Sequence, residues 1–333
     1  MAGPALVDPF GRRVRDLRIS VTDRCNLRCQ YCMAEDMTFL PRGELLSFEE
    51  IERVARVCVT RFGFDGIRLT GGEPTVRADL ATLVRMLAGL AGPDGQPVDV
   101  AMTTNGVTLG LVADQLRQAG LSRVNISCDS LRRERFASIT RRDRLGAVLE
   151  GVDAAVAAGF SPVKVNVVTM RGVNDDEAVD FASFGREKGV QIRFIEFMPL
   201  DADDAWSMDQ VVPATETVAA IAAVYPLEPV RHGAEPAARY RYLDGRGELG
   251  VIPSVTRPFC GDCDRVRVTA EGQLRTCLFA MDEHDLRAVL RDGGSDDDLA
   301  RAIEAAVGTK WAGHRIGQVS FVRPGRSMSQ IGG

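Results

Sequence analysis

The chain lacks any run of eighteen or more apolar residues, which leaves no candidate for a helical membrane span. It also lacks a basic excess, since 41 Lys and Arg against 46 Asp and Glu give a formal charge of −5. A general nucleic-acid surface would leave a basic footprint, so that class is excluded. Met1-Ala2-Gly3-Pro4 has no charged stretch leading into an apolar one, so no secretory signal is expected and the chain is read as cytoplasmic. No fine internal repeat is evident. What is present in quantity is apolar residues, 45% of 333, enough for one large domain and a smaller one. Eight cysteines in a chain with no export signal point away from disulfides and towards metal or redox chemistry.

Six of the cysteines fall into two trios, Cys25/Cys29/Cys32 and Cys260/Cys263/Cys277. Cys58 and Cys128 sit singly in apolar runs and read as small buried hydrophobes. Around the trios, strand and helix patterns alternate. Strands are expected over 17–21, 66–70 and near 98–103, 122–128, 163–169 and 190–196. Helices are expected near 79–90, 109–119, 145–158 and 175–187, and one from the capping box Ser47/Glu50 to Phe62. This is the βα rhythm of a parallel sheet. Six strands are too few for a closed eight-stranded barrel. Beyond about residue 200 the rhythm stops, which gives a domain over 1–200 and a module over 201–333. The module begins with the acidic loop Asp201–Trp206. A helix near 214–224, short strands and turns over 226–258, helices over 282–310 and a small, polar tail from Pro324 are expected in it.

The first trio has the spacing Cys-x3-Cys-x2-Cys. A structural zinc site wants four ligands. Three thiolates on one short loop can instead hold three corners of a cubane iron–sulfur cluster and leave the fourth iron open. A zinc knuckle or a purely electron-carrying cluster are the plainer alternatives. Gly71-Gly72-Glu73-Pro74 closes the second strand, where glycines let a ligand approach closely and the carboxylate can accept from an ammonium. A strand-to-helix turn is the plainer reading.

With Tyr31 standing before the last cysteine, the loop resembles the signature of the radical S-adenosylmethionine (SAM) superfamily. The resemblance implies an open (β/α)6 partial barrel. It implies that the open iron chelates SAM and that reduction releases a 5′-deoxyadenosyl radical. By the same resemblance Tyr31 packs near the adenine, Gly72 and Glu73 hold the SAM amino group, and Ser127 and Met198 line the ribose and adenine.

Cys260-Gly261-Asp262-Cys263 with Cys277 again offers three thiolates, and His284 is a conceivable fourth ligand for zinc. An auxiliary cluster fits better beside a radical SAM core. Arg265 and Arg267 follow, two apart and so on one face of an extended segment, which makes an anion pocket. Leu17–Met33, Arg68–Pro74, Thr103–Gly106, Cys260–Arg267 and Gly332-Gly333 together are similar to the branch of the superfamily that opens molybdenum-cofactor biosynthesis on GTP.

That similarity implies a lyase with two [4Fe-4S] clusters and SAM. Its product would be (8S)-3′,8-cyclo-7,8-dihydroguanosine 5′-triphosphate, passed to a cyclic pyranopterin monophosphate synthase, and the enzyme would be a homodimer. It assigns GTP contacts to Arg18, Arg68, Thr103, Lys164, Arg265, Val266 and Arg267. It assigns catalytic roles to the first trio, to Arg265 and Arg267, and to Gly332-Gly333, which would thread into the pocket with Arg323 and Arg326 as anchors. A strand lysine such as Lys164 is unusual unless it faces a polar lumen. The run Arg132, Arg133, Arg135, Arg141, Arg142, Arg144 reads as a solvated helix surface. A peptide-modifying radical SAM enzyme and a non-catalytic iron–sulfur sensor are the rivals.

Overall fold

The computed structural model describes residues 5–201, 205–230 and 235–332. Part of the acidic loop expected at 201–206 and the last glycine, Gly333, lie outside the described residues. Strand β1 (Asp16–Ser20) runs beside β2 (Gly66–Thr70), and β3 (Asp99–Thr104), β4 (Arg123–Ser127), β5 (Val163–Thr169) and β6 (Gln191–Glu196) follow in order, all parallel. Helices over Phe48–Phe62, Leu80–Ala88, Leu109–Gln118, Leu145–Ala157 and Ala178–Lys188 connect them, as the alternating pattern predicts. The first helix starts on the expected capping box: Glu50 N donates to Ser47 Oγ and Ser47 N donates to Glu50 Oε2. It ends at Gly63, whose φ of 67° suits a residue without Cβ.

The segment after residue 200 does not sit apart from this sheet. Strands β7 (Leu227–Val230), β8 (Ala238–Tyr242) and β9 (Glu248–Ile252) join one edge, and β10 (Arg265–Val268), β11 (Gln273–Arg275) and β12 (His284–Asp285) join the other. β9 lies parallel to β6 and β10 lies parallel to β1. The parallel run is therefore two strands wider than the βα units alone provide. The order, β12-β11-β10-β1-β2-β3-β4-β5-β6-β9-β8-β7, ends on two antiparallel edges and stays open.

Alternation along each strand decides what faces where. Leu17, Ile19, Ile67, Leu69, Val163, Val165 and Val167 are buried in the main apolar core. Asp16, Arg18, Arg68, Asn125, Lys164, Asn166 and Arg193 occupy the opposite face, which is the lumen. Residues 324–332 are not a featureless tail. Met328–Ile331 is a short helix, and Ile331 is buried against Leu200, Val255 and Phe279. The apolar Ile331 gives an otherwise polar stretch something to bury. Cys58 and Cys128 are buried, as expected of small hydrophobes. No described helix is long and apolar enough to cross a membrane.

Candidate active site

Cys25, Cys29 and Cys32 follow β1 directly. All three are free and half-buried. The loop is wound tightly, with Cys32 N and Met33 N both donating to Cys29 O. Leu27 N points at Cys25 Sγ at 3.4 Å, and Asn105 Nδ2 reaches the same sulfur at 3.6 Å. Burial raises the Cys25 and Cys29 pKa values and takes Cys32 up to about 12. Such thiols ionise readily only beside a metal, and the donors aimed at Cys25 suit a sulfur that carries charge. A cubane is a larger body than an ion and needs its three thiolates spread round it, so the donor set fits a cluster.

The glycine turn is packed against the chain that enters the cysteine loop. A Cβ on Gly71 would lie 2.6 Å from Thr22 O, and one on Gly72 would lie 2.4 Å from Arg24 O. These glycines let the chain entering the cysteine loop pass close to the turn. Glu73 is fully buried, and its carboxylate accepts from Thr75 N, Thr75 Oγ1, Thr104 Oγ1 and Asn105 N. It is thus a clasp that joins the turn to the end of β3. Asn105, which sequence reasoning passed over, completes the clasp by donating to Asn26 Oδ1 at 2.7 Å.

Tyr31 donates to the Asp129 carboxylate at 2.5 Å and meets Phe197 edge-on, with ring centroids 6.3 Å apart. Asp129 also accepts from Val168 N, and burial pushes its carboxyl up to about 6. Ser127 ends β4 and Met198 follows β6, both half-buried.

The second trio stands at the other end of the lumen. Cys260 and Cys263 precede β10, which is parallel to β1, and Cys277 follows β11, which is antiparallel to β10. The first trio follows β1 and the second precedes its neighbour. At ~3.3 Å per residue, a five-residue strand separates them by roughly 15 Å. Sites on parallel sheets usually gather at the carboxyl ends of the strands. Here the amino ends are used as well, because β10 brings its cysteines ahead of it.

Arg265 Nη2 lies 3.5 Å from Cys263 Sγ. Burial pushes the Cys263 thiol up, but Arg265 and Lys310 outweigh it and bring it down to about 7. Cys277 Sγ accepts from Phe279 N at 3.4 Å. His284 meets Thr309 Oγ1 at 3.2 Å. Again three thiols with cationic and amide donors suit a cluster's thiolates.

Between the trios the register collects cations. Arg18 pairs with Arg267 on one side and with Arg68 on the other, so three guanidinium side chains stand abreast on β10, β1 and β2. Thr103, Asn125 and Lys164 form a second row on β3, β4 and β5. Arg193, which the sequence reading missed, faces this row and donates to Asn166 Oδ1 at 2.8 Å. Burial first, and neighbouring arginines second, lower Lys164 to about 8, Arg193 to about 9 and Arg267 to about 10.

The Nε atoms of Arg18, Arg68 and Arg265 are buried without a hydrogen-bond partner. At a strand spacing of ~4.8 Å and an effective dielectric of ~20, neighbouring like charges repel by roughly 3 kcal/mol. Asp16, 3.8 Å from Arg18, offsets only part of this. The lumen is therefore built for a multiply charged anion. Val266 alternates to the other face and is buried in the core, so only its main chain is available to a ligand. Gly332 lies at the mouth: Arg267 Nη1 donates to its carbonyl at 2.9 Å, and Ser329 Oγ donates to Cys32 O at 3.1 Å. Arg323 pairs with Asp201, and Arg326 with Glu271 and Glu283. In the arginine run after β4, Arg132, Arg133 and Arg135 pair with Asp143, Asp176, Glu177 and Asp180, and Arg141 and Arg142 face Glu35.

An open parallel sheet whose first strand feeds a three-cysteine loop, clasped by a glycine turn after the second strand, defines a radical SAM enzyme. A family model described as the Radical SAM superfamily matches residues 19–185, and one described as Molybdenum Cofactor Synthesis C matches residues 190–316. The GTP 3′,8-cyclase of Corynebacterium glutamicum is 47% identical over 336 residues, covering 98% of this chain and 89% of that one. The GTP 3′,8-cyclase of Rhodopirellula baltica is 48% identical over 99% of this chain and 92% of its own. Among solved structures, Streptococcus suis SuiB bound to S-adenosylmethionine aligns with a TM-score of 0.58 at 14% identity, over 88% of this chain and 68% of that one, which is a likeness of fold. The chain belongs to the GTP 3′,8-cyclase family.

Proposed function

We infer that the chain cyclises GTP between ribose C3′ and guanine C8, the first step of molybdenum cofactor biosynthesis. The product is (8S)-3′,8-cyclo-7,8-dihydroguanosine 5′-triphosphate, and the enzyme works as a lyase. The observation that carries this reading is the row Arg267–Arg18–Arg68, facing a lumen with a cysteine trio at each end. Cys25, Cys29 and Cys32 would hold one [4Fe-4S] cluster, and Cys260, Cys263 and Cys277 a second. Tyr31, Gly72, Ser127 and Met198 flank the place for SAM.

When bound, the clusters and SAM supply electron transfer and abstraction of the C3′ hydrogen. The chain's own residues orient and enclose. Arg18, Arg68, Lys164 and Arg193 take the triphosphate, and Thr103 and the main chain of Val266 border it. Arg265 and Arg267 stand between the phosphates and the second trio. Fixing the ribose in this way holds C3′ and C8 in a reactive orientation. Gly332 and Ser329 close the mouth against solvent, which limits side reactions of a reactive intermediate. We take residues 1–200 as the radical SAM unit and 201–333 as the auxiliary module. A cytoplasmic homodimer that hands its product to a cyclic pyranopterin monophosphate synthase completes the proposal.

Anaerobic reconstitution, then dithionite, SAM and each nucleotide in turn, tests it. GTP should be consumed with 5′-deoxyadenosine formed alongside. Release of 5′-deoxyadenosine with GTP intact would sink the substrate assignment.

A further inference from the structure

Lys310 is buried, 3% exposed, and spends all three of its N–H donors on the surroundings of the second trio. It donates to Arg265 O at 2.7 Å, on β10 just after Cys263, and to Thr276 O at 2.6 Å, the residue before Cys277. The third donor points at Cys263 Sγ, 3.8 Å away. Burying an ammonium costs several kcal/mol unless an opposite charge compensates. Among the described residues no carboxylate forms an ion pair with Lys310. The sulfur within its reach is Cys263 Sγ, and the Thr276 carbonyl that it holds adjoins Cys277. The ammonium is therefore matched to thiolates.

The same stretch of chain grips the third cysteine. A Cβ on Gly313 would lie 2.7 Å from the Cβ of Cys260, so the backbone at 313 is pressed against that residue. Arg12, buried and paired with Asp8, donates to Cys260 O at 2.6 Å, to Ala312 O at 2.8 Å and to Trp311 O at 2.5 Å. The segment 310–313 is thus locked to all three cysteine-bearing stretches: by Lys310 at 263–265 and 276–277, and by Gly313 and Arg12 at Cys260.

We propose that Lys310 is the positioning residue of the second cysteine trio: it ties the Cys263 and Cys277 loops together and turns an N–H on Cys263, so the trio is set in place before a cluster enters. This rests on the reading that the second trio holds a cluster. Lys310 touches no substrate. Its role is to hold the thiolates at a fixed separation and to supply the positive charge that a cluster with three thiolates needs beside it.

The test uses the full chain carrying Lys310→Met or Lys310→Arg, stripped of iron and reconstituted anaerobically. Iron per chain, the electron paramagnetic resonance signals of the reduced protein and the thermal unfolding of the iron-free chain are measured. Wild type should bind about eight irons per chain and show two signals. Lys310→Met should bind about four, lose the second signal and keep the first, while its iron-free form still melts in one cooperative step. Lys310→Arg, which keeps the charge, should restore the second signal at a shifted potential.

Lys310→Met with undiminished iron and both signals overturns the inference and leaves the two-cluster reading standing. Failure of Lys310→Met to fold also overturns it, because the residue would then be a general support of the fold. If wild type binds only about four irons, and Cys260→Ser, Cys263→Ser and Cys277→Ser change nothing, the two-cluster reading falls and takes the inference with it.

Discussion

Tyr31 donates its hydroxyl to Asp129 across 2.5 Å, which ties the cysteine loop to the end of β4. Asp129 is in turn fixed by Val168 N on β5. The aromatic ring beside Cys32 is therefore aimed from two strands. A hydrogen bond to a buried carboxylate contributes about 1.5–3 kcal/mol. Asp129→Asn should weaken SAM binding by roughly 10- to 100-fold while leaving iron content unchanged. Titration of reconstituted protein with SAM checks this, and unaltered affinity would remove Asp129 from any role at the site.

Lys164 gives a pH dependence with a defined sign. Its pKa falls from 10.5 unfolded to about 8 folded, through burial and then Arg193. Between those values the folded chain has shed a proton that the unfolded chain keeps, so stability of the empty protein rises with pH across the window. A bound triphosphate favours the charged lysine and reverses the effect. Above about pH 8 binding takes up a proton, and Kd for GTP should rise up to about tenfold per pH unit. In Lys164→Gln the rise between pH 8 and pH 9 should be lost, because the titrating lysine is gone. Calorimetry in buffers of different ionisation heat measures the proton count; a flat Kd from pH 7 to 9 would contradict the assignment.

Gly332 has a φ of 80°, and a Cβ there would lie 2.8 Å from Thr70 Oγ1 and 2.9 Å from Ser20 Cβ. An alanine would meet both obstacles, at a cost of about 1–2 kcal/mol from the backbone alone. Gly332→Ala should lower kcat for GTP cyclisation by about tenfold or more, with iron content and SAM affinity retained. Full activity in this variant would show that the close fit of the chain end at Gly332 is not needed.

Glu73 presents acceptors to four donors. Glu73→Gln would turn an NH2 group against one of them, an unmet buried pair worth about 1–3 kcal/mol. The iron-free chain should melt roughly 2–8 °C lower. An unchanged Tm would mean that the clasp rearranges freely.

The parts legible in the sequence are those whose signal is local. The cysteine spacings, the capping box at Ser47 and the strand Gly66–Thr70 appear in the structure where the residue pattern places them. Arg193 escaped notice because one arginine in a short strand reads as surface; the alternation Gln191, Arg193, Ile195 was its only sign. Glu73 was legible as important but not in its partners, since Thr104 and Asn105 come from another strand. The parallel pairing of β10 with β1 joins residues some 250 positions apart, and no short-range pattern announces it. It is that pairing which puts Arg267 beside Arg18 and the second trio below the first. Val266, grouped with its neighbours by adjacency, is separated from them by the two-residue period of the strand.

The late arrival of β9 and β10 on opposite flanks of the sheet has a bearing on synthesis. A ribosome that has released residues up to Glu196 has made six parallel strands whose outer two, β1 and β6, still show bare amides and carbonyls. Unpaired flanks of this kind invite other chains to add on. Premature stops between β6 and β10 should therefore yield insoluble fragments, and a chaperone that shields β1 during translation would improve recovery of the whole enzyme.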